Sequence, residues 1–172
     1  MNGIILYGTC HGSAKQYADE LSRRTGEKCV SYEDAGDLAS YDRIVYIGSL
    51  YAGGVLGMAN TLGKLINWQS KQIVIATVGL ADTTDAENIA NIRKNMLRQL
   101  PAGMMEHAKI VHLRGGIDYS RLSIKHKVMM GLLTRKARNL PPEKKTAEVR
   151  AMIDTYNKAV DFVDLSRVDE LL

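Results

Sequence analysis

The sequence contains little cysteine. Only two of its 172 residues are cysteines, Cys10 and Cys29, and they lie too far apart to form a C-x-x-C pair. No group of cysteines and histidines has the spacing of zinc ligands. These absences exclude a disulfide scaffold and a structural zinc domain, and they favour a reducing, intracellular setting.

Long apolar runs are missing as well. No stretch of about 18 apolar residues occurs, so the sequence predicts no membrane-spanning helix. Residues 1–7 carry no basic cluster and only a short apolar run, which does not fit a secretory signal peptide. We therefore expect a cytoplasmic protein.

The remaining composition is ordinary for a globular protein. Hydrophobic residues make up 45% of the chain and charged residues 24%. There is no internal repeat and no low-complexity segment. A domain of this length buries roughly two thirds of the surface that its unfolded chain exposes. We predict a single domain over residues 1–172.

Five short apolar runs, rich in β-branched residues, predict strands. The first, third and fourth are almost continuously apolar, as expected for strands that are buried on both faces of a parallel sheet. The runs are Gly3–Tyr7, Lys28–Tyr32, Arg43–Gly48, Gln72–Val78 and Lys109–Leu113.

Apolar residues at helical spacing alternate with these strands. The stripes lie within 14–21, 58–66, 89–100 and 149–163, the last being the longest. Strands that alternate with helices predict an α/β fold with a doubly wound, five-stranded parallel sheet of order 2-1-3-4-5. Ligands of such sheets bind beyond the carboxyl ends of the strands at the switch point, here between the first and third strands.

Positive charge is concentrated after the fifth strand. Residues 115–145 carry eight Lys/Arg and two Asp/Glu, whereas the rest of the chain has a net charge of −2. We predict a basic helical insert over about 115–143, with a helix over Ser123–Arg138 and Pro142 in the first turn of the helix that follows. The predicted helix is basic and amphipathic. Three roles fit residues 121–138: peripheral contact with the inner face of a membrane, contact with an acidic redox protein, or simply covering the edge of the sheet.

The loop after the first strand is the best candidate for a binding site. It joins a buried strand to an amphipathic helix, and small and hydroxylated residues form it. A phosphate there would meet the amides and the positive dipole end of the helix. A bare helix cap at Ser13 is the alternative. We predict cofactor contacts from Thr9, Cys10, His11, Gly12, Ser13 and Ala14.

Three other phosphate sites fit this loop poorly. A dinucleotide-binding loop needs G-x-G-x-x-G, and a P-loop needs Gly-Lys followed by Ser or Thr; neither pattern is present. A low-molecular-weight phosphatase would need Arg six residues after Cys10, where Gln16 stands. Cys10 is either a thiol activated by the helix N-terminus or a small side chain without a redox role.

The segment from Ile4 to Lys15 resembles the phosphate loop of flavodoxins, Ser/Thr-x-Thr-Gly-x-Ser/Thr. Thr9 and Gly12 match this pattern, whereas His11 and Ala14 stand where the family has hydroxyl side chains. The resemblance implies a flavodoxin-like fold and FMN as the cofactor. It also implies that the loops after the third and fourth strands flank the flavin, with Tyr51 as the stacking residue. The residues predicted in those loops are Ser49, Leu50, Tyr51, Ala52, Gly53, Val78, Gly79 and Leu80.

The insert, which begins with Gly115-Gly116-Ile117-Asp118-Tyr119, is similar to that of the flavodoxin branch that includes menaquinone-dependent protoporphyrinogen oxidase. This resemblance implies a quinone-linked oxidoreductase. Two alternatives stay open: an electron carrier for a protein partner, and a non-redox domain that has lost FMN. We assign no catalytic side chain and no metal ligand, and the basic segment carries no nucleic-acid-binding motif.

Overall fold

The computed structural model describes residues 2–172, and its centre is a parallel sheet. The five parallel strands are β1 (Gly3–Gly8), β2 (Lys28–Ser31), β3 (Arg43–Tyr51), β5 (Gln72–Gly79) and β6 (Lys109–Arg114). They lie in the order β2-β1-β3-β5-β6, while the short strand β4 (Gly54–Val55) pairs antiparallel with the end of β3. Counted without β4, this is the predicted order 2-1-3-4-5, so the predicted fold class is confirmed.

Five α-helices accompany the sheet. They are α1 (Ser13–Thr25), α2 (Ala86–Met96), α3 (Met104–His107), α4 (Ile124–Arg138) and α5 (Ala147–Asp154). Two further strands, β7 (Gly116–Asp118) and β8 (Ala159–Asp161), form a separate antiparallel pair. The predicted insert helix is confirmed as α4, and its Ser123 cap accepts a hydrogen bond from the amide of His126.

The core has one layer on each face of the sheet. The interior strands β1 and β3 are almost wholly buried, which explains their continuous apolar runs. On one face, Tyr17 and Leu21 of α1 pack with Val168 and Leu171 near the C-terminus. On the other face, Met96 of α2 packs with Met58 and Leu62.

The helix predicted over 58–66 is wrong. Three short 3₁₀ turns, Met58–Asn60, Leu62–Lys64 and Trp68–Ser70, replace it. The apolar stripe is nevertheless real, because Met58 and Leu62 are fully buried. The backbone leaves the helical region on both sides of the second turn, at Thr61 with φ of −115° and ψ of −89° and at Leu65 with φ of −72° and ψ of 120°.

The helix predicted over 149–163 is also wrong beyond Asp154. Asn157 adopts a left-handed conformation with φ of 60°, and β8 follows it and pairs with β7. A 3₁₀ segment, Leu165–Leu171, then covers the α1 face of the sheet. Pro142 starts a separate 3₁₀ turn and not α5, which begins at Ala147.

None of the helices in residues 2–172 has the length and apolarity that crossing a bilayer requires.

Candidate functional site

The loop after β1 leads directly into the N-terminus of α1. Gly12 precedes the helix with φ of 92°, a conformation that favours glycine, and its amide donates to Thr9 Oγ1 at 2.9 Å. The first backbone bond of the helix runs from the Gln16 amide to the Gly12 carbonyl at 3.0 Å. Within residues 2–172 the amides of Ser13, Ala14 and Lys15 therefore lack acceptors. Three adjacent free N–H groups at the positive end of a helix dipole are suited to binding an anion.

The side chains of this loop point in different directions. Ala14 is fully buried against the sheet, which explains why no hydroxyl stands there. Ser13 Oγ accepts a hydrogen bond from the Gly116 amide at 2.9 Å, so Ser13 links α1 to the start of β7. His11 is exposed, and partial desolvation together with the charge of His126 lowers its pKa.

Cys10 contributes through its backbone. Its amide donates to Ser49 Oγ at 3.3 Å, which joins the loop after β1 to the end of β3. Burial raises the pKa of the Cys10 thiol. A raised pKa agrees with the interpretation of Cys10 as a small side chain without a redox role.

The second loop is the tip of the β3–β4 hairpin. Ala52 and Gly53 both have positive φ, 49° and 78°, and Tyr51 is half-exposed. The Gln99 side chain makes two hydrogen bonds to Val55 of β4. Gln99 Oε1 accepts from the Val55 amide at 2.8 Å, and Gln99 Nε2 donates to the Val55 carbonyl at 3.1 Å. The tip is thus fixed at its base, and the Tyr51 ring remains accessible for stacking.

The third loop follows β5 and is held by the neighbouring strand. Arg114, the last residue of β6, donates to the Leu80 carbonyl at 2.7 Å and stacks on the Phe162 ring at 3.8 Å. The Gly115 amide donates to the Gly79 carbonyl at 2.8 Å. Val78 is buried, so the backbone of Gly79 and Leu80 forms the accessible part of the loop.

Glu148 of α5 lies against this third loop. Its Oε1 accepts from the Ala81 amide at 3.3 Å, and it would lie 2.6 Å from a Cβ placed on Gly79. Leu50 Cδ1 would lie 2.7 Å from the same Cβ, so the second and third loops meet there. Burial raises the pKa of Glu148, although the Ala81 amide and Arg114 oppose this shift.

The structure therefore brings most of the predicted residues to one edge of the sheet. Ser49 connects the first two loops and Leu50 the last two, whereas no hydrogen bond in residues 2–172 links Tyr51, Ala52 or Gly53 to the other loops. No group of three metal-ligating side chains occurs in that part of the chain.

Sequence reasoning missed several residues that shape this edge. The position of Arg114 could have been predicted, because it directly follows the fifth predicted strand and therefore lies at the carboxyl edge of the sheet. No sequence signal marked Gln99, which follows α2, or Glu148 of α5, since their positions depend on tertiary packing.

The topology and the loop before α1 define a flavodoxin-like α/β protein. Residues 4–142 match the family model described as a flavodoxin domain. The chain therefore belongs to the flavodoxin domain family. Among curated proteins none matches it.

Solved structures similar to this chain include several flavoproteins. A cysteine-to-alanine mutant of flavodoxin from Pseudomonas aeruginosa is 16% identical, with a TM-score of 0.44, over 80% of this chain and 97% of the other. A flavoprotein from Bacteroides eggerthii is 12% identical, with a TM-score of 0.43, over 76% and 96%. A mutant flavodoxin from Fusobacterium nucleatum bound to flavin mononucleotide is 14% identical, with a TM-score of 0.41, over 69% and 71%.

Proposed function

We propose that this protein is an FMN-binding redox protein. FMN is the cofactor that membership of the flavodoxin domain family supports. One observation carries the proposal: the free amides of Ser13, Ala14 and Lys15 lie at the switch point of the sheet, where a phosphate would be bound.

The three loops provide the remaining contacts. Thr9 Oγ1 accepts from the Gly12 amide, and its own proton is free to reach a phosphate oxygen. The half-exposed Tyr51 ring offers a stacking surface, worth about 1 kcal/mol beyond burial. The backbone of Gly79 and Leu80 lines the other side. Bound FMN would supply hydride or single-electron transfer, and the chain would hold it and control access to it.

FMN binding is tested by titrating the FMN-free protein with FMN and with riboflavin and following flavin fluorescence. We expect FMN to bind more tightly, because riboflavin lacks the phosphate. The variant His11→Glu should weaken FMN binding at least tenfold and leave riboflavin unchanged, since His11 is exposed beside the amides. Gln69→Glu, exposed before β5 at the opposite edge, is the matched control.

The outcome of this titration decides the cofactor. A protein that binds neither flavin would be the non-redox domain that has lost FMN. Equal affinity for FMN and riboflavin would overturn the phosphate site.

The finer proposal is a quinone-linked oxidoreductase related to protoporphyrinogen oxidase. Two features support it. The basic insert contacts the proposed cofactor loop through the hydrogen bond from Gly116 to Ser13, and the isoelectric point is near 9.0. The second candidate is an electron carrier, favoured by the exposed Tyr51, at which a protein partner would meet the flavin.

Enzyme and carrier are distinguished by assaying protoporphyrinogen oxidation with a menaquinone analogue. The enzyme should oxidise this substrate faster than an equal concentration of free FMN does. A rate equal to the free-FMN background would remove the oxidase assignment and leave the carrier.

A further inference from the structure

Helix α4 exposes an unusual amount of apolar surface. Ile124 is 82% exposed, Val128 59% and Leu132 65%. These residues are four apart, so they form one stripe along the helix. The next residue, Leu133, is also 45% exposed.

The opposite face of α4 is small and only partly apolar. Its buried residues are Thr134 and Ala137, and it packs against α5. A surface helix normally turns its large apolar side chains toward the core. In α4 the side chains of Ile124, Val128 and Leu132 point away from the protein, where water would hydrate them.

Cations lie among these apolar side chains. Lys125, Arg135 and Lys136 are exposed on the same side, and within residues 2–172 none of the three has an acidic partner within 4 Å. The sequence from 119 to 142 contains no Asp or Glu. We call the six residues Ile124, Lys125, Val128, Leu132, Arg135 and Lys136 the outward face of α4.

We propose that the outward face of α4 binds peripherally to an anionic phospholipid bilayer. The apolar side chains would enter the boundary between headgroups and acyl chains, and the cations would contact the lipid phosphates. Charge complementarity favours this occupant over a second copy of the chain, because two such faces would bring cations against cations.

The location of α4 gives this contact a consequence for the site. Gly116, the second residue of the insert, is hydrogen-bonded to Ser13 of the proposed cofactor loop, and α4 follows within ten residues. A protein held by α4 would keep this edge of the sheet near the bilayer. A lipid-soluble electron acceptor would then reach it without crossing water. The binding itself does not depend on a bound flavin.

The proposal is tested by flotation of the full chain with vesicles of phosphatidylcholine, with and without 30% phosphatidylglycerol, at low and high salt. We expect flotation only with the anionic vesicles and its loss at about 1 M salt, where the Debye length is about 3 Å.

Two triple variants separate the contributions to binding. Lys125→Gln/Arg135→Gln/Lys136→Gln should weaken partitioning about a hundredfold, since each cation near an anionic surface contributes about fivefold. Ile124→Ser/Val128→Ser/Leu132→Ser should weaken it at least tenfold at low salt. Because all six side chains are exposed, both variants should keep the melting temperature of the wild type.

The matched control is Ile66→Ser/Leu97→Ser, which removes two exposed apolar side chains elsewhere and should float as the wild type does. Equal flotation of the wild type and both triple variants would overturn the proposal, as would failure of the wild type to float with anionic vesicles. A dimer in light scattering that the Ile124/Val128/Leu132 variant abolishes would also overturn it, in favour of a second copy.

Discussion

The hydroxyl of Tyr46 should contribute measurably to stability, and the variant Tyr46→Phe removes it. Tyr46 is fully buried on β3, and its hydroxyl donates to the carbonyl of Leu56 at 2.5 Å. No other donor to that carbonyl is present in residues 2–172. The variant therefore leaves a carbonyl unpaired, which costs about 2 kcal/mol.

This cost is measurable by urea denaturation. With a slope of about 2 kcal/mol per molar urea, the midpoint should fall by about 1 M. The slope itself should stay unchanged, since the substitution alters neither compactness nor exposed area. Because Leu56 follows the β3–β4 hairpin, FMN binding should weaken as well.

The matched control is Tyr41→Phe. Tyr41 is partly buried, and its hydroxyl makes no hydrogen bond within residues 2–172, so its midpoint should not change. If both variants have the same midpoint as the wild type, the Tyr46–Leu56 hydrogen bond does not stabilise the fold.

Three further predictions concern other buried groups. Burial lowers the pKa of His112 to about 4, so the unfolded chain binds the proton first and stability should fall as the pH drops from about 6.5 to 4. Because His112 is only partly buried, the free energy of unfolding should fall by about 1 to 2 kcal/mol over this range. Melting temperatures measured between pH 6.5 and 4 should show this fall, and the variant His112→Asn should lack it. Burial raises the pKa of Cys10 and raises that of Cys29 to about 11, so iodoacetamide should modify both thiols slowly at pH 8. Rapid modification of Cys10 would show instead that the helix N-terminus activates this thiol. Leu171→Ala should cost about 3 kcal/mol by urea denaturation, because Leu171 is fully buried, whereas the half-exposed Leu172→Ala should cost nothing.

Much of the sheet was predictable because each buried strand is recognisable from its own residues. A strand buried on both faces must be apolar at nearly every position, and β3 and β5 show this in the sequence. The order of the strands then places the loops after β1, β3 and β5 at one edge. The candidate site follows from that placement even though its motif lacks hydroxyls at His11 and Ala14.

The wrong predictions arose where tertiary contacts override periodicity. Met58 and Leu62 have helical spacing and are buried as expected, yet Thr61 and Leu65 have non-helical dihedrals, and Gly63 between them packs close to the backbone of Gln99. Val160 extended the last apolar stripe, but it pairs with Ile117 in a strand. The residues around Val160 carry no indication that it pairs with Ile117, which is 43 residues earlier in the sequence. For the same reason Glu148 could not be assigned to the third loop.

The pairing of β7 with β8 makes the segment 119–158, which contains α4 and α5, an insertion between two neighbouring strand ends. Asp118 and Ala159 face each other across this antiparallel pair, so the two ends of the segment 119–158 lie about 5 Å apart. A two-residue hairpin turn such as Asn-Gly spans that gap. Exchange of this segment between related chains would leave the parallel sheet and the helix N-terminus of α1 in place and would replace only Glu148 at the third loop. The same cofactor-binding framework would then be able to serve different partners through different inserts.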